Sequence, residues 1–275
     1  EGCMKERESN VLSLLEDRTN HYSRKIALGM KTQFGWKELT YDGLGLMSRR
    51  LAAYLMNDLG LQKGEKLAIL SESKPEYGAC VFASVISGLI TVPLDIKLTK
   101  YELQSILSDC LPSVMLVSQS YIDKALELQK MIPSLKHIIV MDEHPVNDDL
   151  QSIYTIPNNY TCKWRHRSSK STVFIIYTSG TTGKPKGVET TFGNMLAQLN
   201  GLKVTFDKIL PHGDVRILSI LPMNHLFEMT VGFTTFLNLG FSVYYTHNLK
   251  PKDILNIMRD RKINFMIVVP AFLHS

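Results

Sequence analysis

One segment of the sequence combines the residue types that bind phosphate groups. It reads Tyr-Thr-Ser-Gly-Thr-Thr-Gly-Lys-Pro-Lys-Gly-Val over residues 177–188 and follows the apolar, β-branched run 172–176. Its three glycines can adopt positive φ, which turns successive N–H groups to one side, while hydroxyls and two ammonium groups add further donors. This composition predicts a polyphosphate site where a buried strand is followed by a helix. The candidate residues are Thr178, Ser179, Gly180, Thr181, Thr182, Gly183, Lys184, Lys186 and Gly187.

The spacing within this segment excludes a Walker A loop. That motif needs Gly-Lys followed by Ser or Thr, whereas Pro185 follows Gly183-Lys184 here. Proline also lacks the N–H group and would interrupt the helical turn that the Walker geometry requires. The alternative interpretation is a polar surface turn with two solvated lysines, and the position directly after a buried strand disfavours it.

A second group of candidate residues follows a strand predicted over 215–221. Residues 221–228 read Leu-Pro-Met-Asn-His-Leu-Phe-Glu, so His225 lies past the carboxyl end of that strand, where open parallel sheets bind ligands. A histidine in such a turn is, by itself, more often a capping or packing residue. Glu228 is interpreted as structural, because a carboxylate near a helix N-terminus is favourable in any case.

Both segments resemble motifs of one family. Residues 177–188 closely resemble the phosphate-binding signature of the acyl-adenylate-forming (AMP-binding) enzymes, and residues 221–228 are similar to their Leu-Pro-x-x-His-x-Phe-Glu motif. The resemblance implies that the loop holds the phosphates of ATP, with Thr181 near Mg²⁺, and that His225 borders the acyl pocket and places the carboxylate.

The resemblance favours one branch of that family, the acyl-CoA synthetases for long-chain or medium-chain fatty acids. It implies formation of acyl-AMP from a carboxylic acid and then of a thioester, with coenzyme A or a carrier-protein thiol as acceptor. Only the first half of the family pattern is covered, and Phe192 stands where the family often has histidine. The catalytic lysine is expected beyond Ser275. We therefore expect an N-terminal portion that contains no catalytic residue and is inactive by itself.

Two other functions stay open at this point. The first is a non-catalytic nucleotide-binding or interaction module, a naturally short relative that keeps the loop without the chemistry. The second, disfavoured by the missing Walker spacing, is a P-loop phosphotransferase.

Alternating apolar patterns predict an α/β fold of mostly parallel sheets with helices on both faces. The resemblance specifies it as the incomplete N-terminal large domain of an acyl-CoA synthetase-like fold. The polar segment 142–170, with a short strand around 153–156, is interpreted as a connector between subdomains 1–141 and 171–275. Predicted helices cover 11–18, 44–59, 75–87, 101–110, 121–131, 194–199, 226–239 and 254–261. Predicted strands cover 26–28, 37–41, 66–70, 90–92, 113–117, 137–141, 172–176, 215–221, 241–245 and 264–269.

Composition narrows the classes of partner. A hydrophobic fraction of 44% with 21% charged residues is ordinary for a soluble globular protein. The net charge of +5 is mild, and the basic points Arg49-Arg50 and 165–167 lack interleaved aromatic residues, so we interpret them as solvated faces and expect no nucleic-acid partner.

The cysteines and the apolar stretches indicate a location. Cys3, Cys80, Cys110 and Cys162 are far apart, which argues against a zinc site or a disulfide framework and favours the reducing cytoplasm. Residues 77–94 are interpreted as a buried helix and strand rather than a transmembrane span, which leaves peripheral membrane contact open. The last strand is expected at an unpaired sheet edge, which favours a homodimer.

Overall fold

Helices and two β-sheets form the described part of the chain. The computed structural model describes residue 19 and residues 21–145, 147, 149–160, 162, 164–178, 185–209 and 213–268, so the helix predicted over 11–18 lies outside the described residues. The strands are β1 (Ile26–Thr32), β2 (Gly35–Thr40), β3 (Lys66–Leu70), β4 (Ile90–Pro93), β5 (Val114–Val117), β6 (His137–Val140), β7 (Gln151–Ser152), β8 (Thr172–Thr178), β9 (Lys186–Thr191), β10 (Arg216–Ser219), β11 (Ser242–Tyr245) and β12 (Phe265–Met266). The helices are α1 (Tyr41–Asn57), α2 (Pro75–Ser87), α3 (Lys100–Cys110), α4 (Ile122–Met131), α5 (Phe192–Ile209), α6 and α7 (Pro251–Arg261), where α6 is a π-helix over Glu228–Thr235 followed by an α-turn over Phe236–Asn238.

The seven-stranded sheet has the strand order β7-β6-β5-β3-β4-β8-β9. Every neighbouring pair in it is parallel except β8 with β9. All four residues of β5 are buried, as are the last four of β3, because helices cover both faces of the sheet. The predicted α/β class with mostly parallel sheets is confirmed.

The five-stranded sheet has the order β12-β10-β11-β1-β2. β1 and β2 form an antiparallel hairpin that turns at Gly35, whose φ of 119° lies in the region that favours glycine. Among the described residues, β12 pairs only with β10 and so stands at the sheet edge, as the sequence predicts.

Helix α2 lies at the centre of the core, between the two sheets. All of its residues are buried, and it packs on β4 of one sheet and on β1 of the other. Gly78 permits the approach to β1, because a Cβ there would lie 2.5 Å from Cδ1 of Leu28. The apolar stretch 77–94 is therefore the predicted buried helix and strand. No helix within the described residues is long and apolar enough to cross a membrane.

The segment 142–170 packs on the core more tightly than the prediction of a connector implies. Its strand is β7, two residues before the predicted position, and Ile153 and Ile156 are instead buried in the main core. Strands from both sides of this segment stand in each sheet, since β8 and β9 join β3–β7 while β10–β12 join β1 and β2. The sheets therefore do not follow chain order, and the division into subdomains 1–141 and 171–275 stays a proposal.

Arg165 and Arg167 of this segment point inward, so the interpretation of these two residues as part of a solvated face is wrong. Arg167 is 5% exposed, and its guanidinium donates hydrogen bonds to the carbonyls of Leu89 and Thr172. Arg165 donates to the Leu61 carbonyl at 2.7 Å. The two guanidinium groups thus tie this segment to carbonyls before β3, just after α2 and in β8.

Candidate active site

The predicted phosphate-binding segment lies within a β-hairpin. β8 ends at Thr178, β9 begins at Lys186, and the two strands are antiparallel with these residues opposite each other. The helix predicted over 194–199 is confirmed as part of α5, but the strand β9, which was not predicted, lies between the motif and this helix. β9 forms because its β-branched residues extend the backbone ladder of β8 at the sheet edge.

The predicted phosphate-binding residues divide into two sets. Thr178, Lys186 and Gly187 are described, and all three are exposed at the end of the strand pair that adjoins the connecting segment. The others lie outside the described residues: Ser179, Gly180, Thr181, which also carries the Mg²⁺ prediction, Thr182, Gly183 and Lys184. The described set provides a hydroxyl and an ammonium group that face each other across the strand pair.

Gly187 has a packing role in strand β9, and its predicted part in phosphate binding stays a prediction. It lies in the extended strand β9, so the expected positive φ is wrong at this position. A Cβ at Gly187 would lie 2.8 Å from Ile175 Cγ2 and 3.1 Å from Tyr177 Cζ. Because residue 187 has no side chain, the large side chains of Ile175 and Tyr177 on β8 fit against β9 at this position.

Tyr177 fixes the end of β8 to a neighbouring helix. Its hydroxyl donates a hydrogen bond to the carboxylate of Asp109 on α3. Burial above all, and then Asp109, raises the pKa of the Tyr177 phenol, so it stays protonated and able to donate. Sequence reasoning missed this partner, because the two residues are far apart in the chain.

His225 lies in the turn between β10 and α6. Its side chain is exposed. Its backbone N–H donates to the Pro222 carbonyl at 3.1 Å, and its backbone carbonyl accepts from the Met229 N–H at 3.0 Å. Phe227, in the same turn, is half exposed. The turn thus presents an imidazole and an aromatic ring to the solvent beyond the carboxyl end of β10.

The hairpin and the His225 turn lie at the same edge of the molecule. β3, β4 and β8 are parallel neighbours, so the loop after β3 and the carboxyl end of β8 lie at the same edge of the sheet. β4 separates them, which corresponds to two strand spacings, or about 10 Å. Ser73, in the loop after β3, accepts a hydrogen bond of 3.0 Å from Met223 N–H in the His225 turn. The structure therefore brings Thr178 and Lys186 to the same edge as the His225 turn.

A buried charge cluster at this edge was missed by sequence reasoning. Lys74 is 3% exposed, and its ammonium group lies 2.8 Å from Asp142 and 3.7 Å from Glu72. Ser118 donates to Glu72 at 2.6 Å. Each of these polar residues closely follows a buried strand, and this position could have identified them.

Glu228 is more unusual than a carboxylate at a helix N-terminus. It is 1% exposed and accepts a hydrogen bond of 2.6 Å from Ser219 Oγ. Burial raises the pKa of Glu228 to about 7, although the Ser219 hydrogen bond opposes the shift. The helix predicted over 226–239 is confirmed, with a π-helical stretch that apolar periodicity does not predict.

Two of the described cysteines are buried inside the fold. Cys80 and Cys110 are free and buried, and Cys80 is the small buried hydrophobe that its apolar surroundings predict. In the part of the chain that the structure describes, no three His, Cys, Asp or Glu side chains are close enough to hold a metal ion.

Comparisons with known proteins agree on one family. A family model described as AMP-binding enzyme matches residues 15–275. A long-chain-fatty-acid–CoA ligase of Salmonella typhimurium is 25% identical over 287 residues, which cover 93% of this chain and 49% of that protein. A human long-chain-fatty-acid–CoA ligase is 28% identical over 271 residues, covering 91% of this chain and 36% of that protein.

A solved structure supports the same fold. The structure of a natural red-emitting luciferase from Phrixothrix hirtus matches with a TM-score of 0.84 at 21% identity, covering 95% of this chain and 64% of the luciferase. At this identity the likeness concerns the fold alone. The chain spans about half, or less, of the length of the curated relatives that it matches.

Proposed function

Because the chain belongs to the AMP-binding enzyme family, we propose that the full-length protein activates a carboxylic acid with ATP. Acyl-AMP and pyrophosphate form first, and the acyl group then passes to a thiol. The observation that carries the proposal is the shared edge of the Thr178–Lys186 hairpin and the His225 turn.

The described residues fit the phosphates of ATP. Thr178 offers a hydroxyl and Lys186 an ammonium group, and the two exposed residues are paired across the strands. Gly187 is paired with Tyr177 in the next position and has no side chain that would press on the Tyr177 ring. Bound ATP would supply the α-phosphorus that the carboxylate attacks, with Mg²⁺ offsetting the phosphate charge. Thr181 is the proposed residue beside the metal.

The residues of this chain then have separate roles. Lys186, together with Lys184, attracts and holds the phosphates, and the hydroxyls of the segment donate hydrogen bonds to them. His225 borders the acyl pocket and holds the carboxylate by a hydrogen bond. Holding the two reactants in line is the larger contribution, since alignment supplies up to about 7–11 kcal/mol of a two-reactant barrier.

The proposed substrate is a fatty acid, and the proposed acceptor is coenzyme A or the thiol of a carrier protein. The names of the relatives support the fatty acid. The half-exposed ring of Phe227 beside His225 offers an apolar surface to an acyl chain.

Acid-dependent exchange of pyrophosphate into ATP by the full-length protein tests the proposal. A panel of fatty acids of increasing length, followed by thioester formation with coenzyme A, identifies the substrate. The double variant Thr181→Ala, Lys184→Ala should lose exchange, while Lys252→Ala, which removes an exposed lysine of α7, should retain it. Exchange that is unchanged in the double variant would overturn the phosphate role. ATP binding without exchange for any acid would favour the non-catalytic module.

A further inference from the structure

Ser219 and Glu228 close the turn that carries His225. Ser219 is the last residue of β10, Glu228 is the first of the π-helix, and the hydroxyl of one donates to the carboxyl of the other at 2.6 Å. Residues 220–227 lie between them. The helix backbone continues the link, because Met229 N–H donates to the His225 carbonyl. The side-chain bond therefore joins both ends of the turn.

The helix provides a space for this carboxyl group. Gly232 lies one turn further along, and a Cβ at this position would overlap the carboxyl oxygens of Glu228. The helix is also widened here, and the Thr234 hydroxyl donates at 2.6 Å to the carbonyl of Met229, five residues earlier. π-helical segments are rare in proteins, and those that occur are often located at functional sites.

The surroundings of Glu228 contain hydroxyl groups. Tyr245 of β11 and Tyr77 of α2 are both 0% exposed, and their hydroxyls have no hydrogen-bond partner among the described residues. Burial above all, and then Glu228 and Tyr77, raises the pKa of Tyr245. Among the described residues, the side chain that donates a hydrogen bond to Glu228 is Ser219 of β10.

Within the described residues, no lysine, arginine or histidine contributes to the pKa shift of Glu228. A buried carboxylate with one hydrogen bond and no cation is costly, so the neutral form suits this site.

We propose that Glu228 is a positioning residue, which holds the strand-to-helix turn through Ser219 and so fixes where the His225 ring stands. Ionisation of the carboxyl draws water toward the site and loosens the turn. The link to acid binding rests on the proposed function of His225, whereas the link to the geometry of the turn does not.

The first test compares the KM for the acid with kcat in the full-length protein. Between about pH 6 and pH 8 the neutral fraction of a carboxyl with a pKa near 7 falls about tenfold, so the acid KM should rise by a similar factor. Glu228→Gln keeps the shape and the acceptor and should abolish this dependence. Ser219→Ala should raise the acid KM at every pH and leave the ATP KM unchanged. Glu127→Gln, at an exposed carboxylate of α4, is the control.

The second test reads His225 directly and needs no activity. At a fixed pH near 6, the ring signals of isotope-labelled histidines, with His225 assigned by His225→Gln, should differ between Ser219→Ala and the parent for His225 and not for the other histidines. Glu228→Gln keeps the shape and the hydrogen-bond acceptor, so its His225 signal should match that of the parent at this pH. If the His225 ring signals are the same in Ser219→Ala and in the parent, the proposal is overturned, whatever the activity of the variant. Absent exchange with a responsive His225 signal would instead refute the proposed function alone.

Discussion

Thr178 and Lys186 pair across the β8–β9 hairpin, so the two residues mark both ends of the segment that links them. One contributes a hydroxyl and the other an ammonium group, and both are exposed. The antiparallel pairing of β8 with β9 sets the separation of the two residues. This pair is the described part of the proposed phosphate site.

Removal of the ammonium group at this position should weaken ATP binding. Lys186→Ala is expected to raise the KM for ATP about tenfold, or ~1.4 kcal/mol, because the lysine is exposed and its field is screened by solvent. The acid KM should change little. Lys252→Ala is the matched control, and an ATP KM equal in both variants would contradict the role of Lys186.

A side chain at Gly187 should destabilise the hairpin. The Cβ of Gly187→Ala would press on Ile175 and Tyr177, and such overpacking costs about 1–3 kcal/mol. Gly201→Ala on α5 is the control, since no atom lies within 4 Å of its added Cβ and alanine favours the helix. Urea unfolding measures both. Equal stability of the Gly187 variant and the parent would show that the strands tolerate the methyl group.

The buried guanidinium of Arg167 should be required for stability. Burial lowers the pKa of Arg167 to about 10, so the group still carries its charge at neutral pH and donates to backbone carbonyls. Arg167→Met is expected to cost about 3 kcal/mol, because it leaves those carbonyls buried without donors. Arg259→Met removes an exposed arginine of α7 and should stay within about 0.5 kcal/mol of the parent. A small loss for Arg167→Met would mean that water replaces its hydrogen bonds.

The carboxyl of Glu228 should make stability depend on pH. Its pKa rises from 4.5 to about 7 on folding, so the folded state binds the proton more tightly. The carboxyl therefore contributes roughly 3 kcal/mol to the free energy of unfolding below about pH 4.5, and this contribution is lost as the pH rises through about 7. Over this range the free energy of unfolding of the parent should fall relative to that of Glu228→Gln. Unfolding curves at several pH values decide this, and parallel pH profiles would contradict it.

Local patterns were sufficient for most of the secondary structure. Residues 66–70 and 75–87 were predicted with the observed bounds, because one is an uninterrupted apolar run and the other begins with proline. β9 was missed because its residues are mostly exposed and polar, and it forms only by pairing with β8. The membership of each sheet was also beyond local reasoning, since β1 pairs with β11 from the far end of the chain.

The candidate site was predictable to a similar extent. Thr178, Lys186 and His225 follow from motif composition and from their place after strands. The Ser73–Met223 hydrogen bond, the Lys74–Asp142 ion pair and the Tyr177–Asp109 contact join residues that are distant in sequence, so no local pattern indicates them. The raised pKa of Glu228 likewise depends on burial by several elements.

A crystal structure of the full-length protein with ATP tests the central claim most directly. The account predicts the phosphate chain within hydrogen-bonding distance of the hairpin, between Thr178 and Lys186, with the acid site beside His225. A triphosphate bound elsewhere, with residues 180–187 facing solvent, would contradict it.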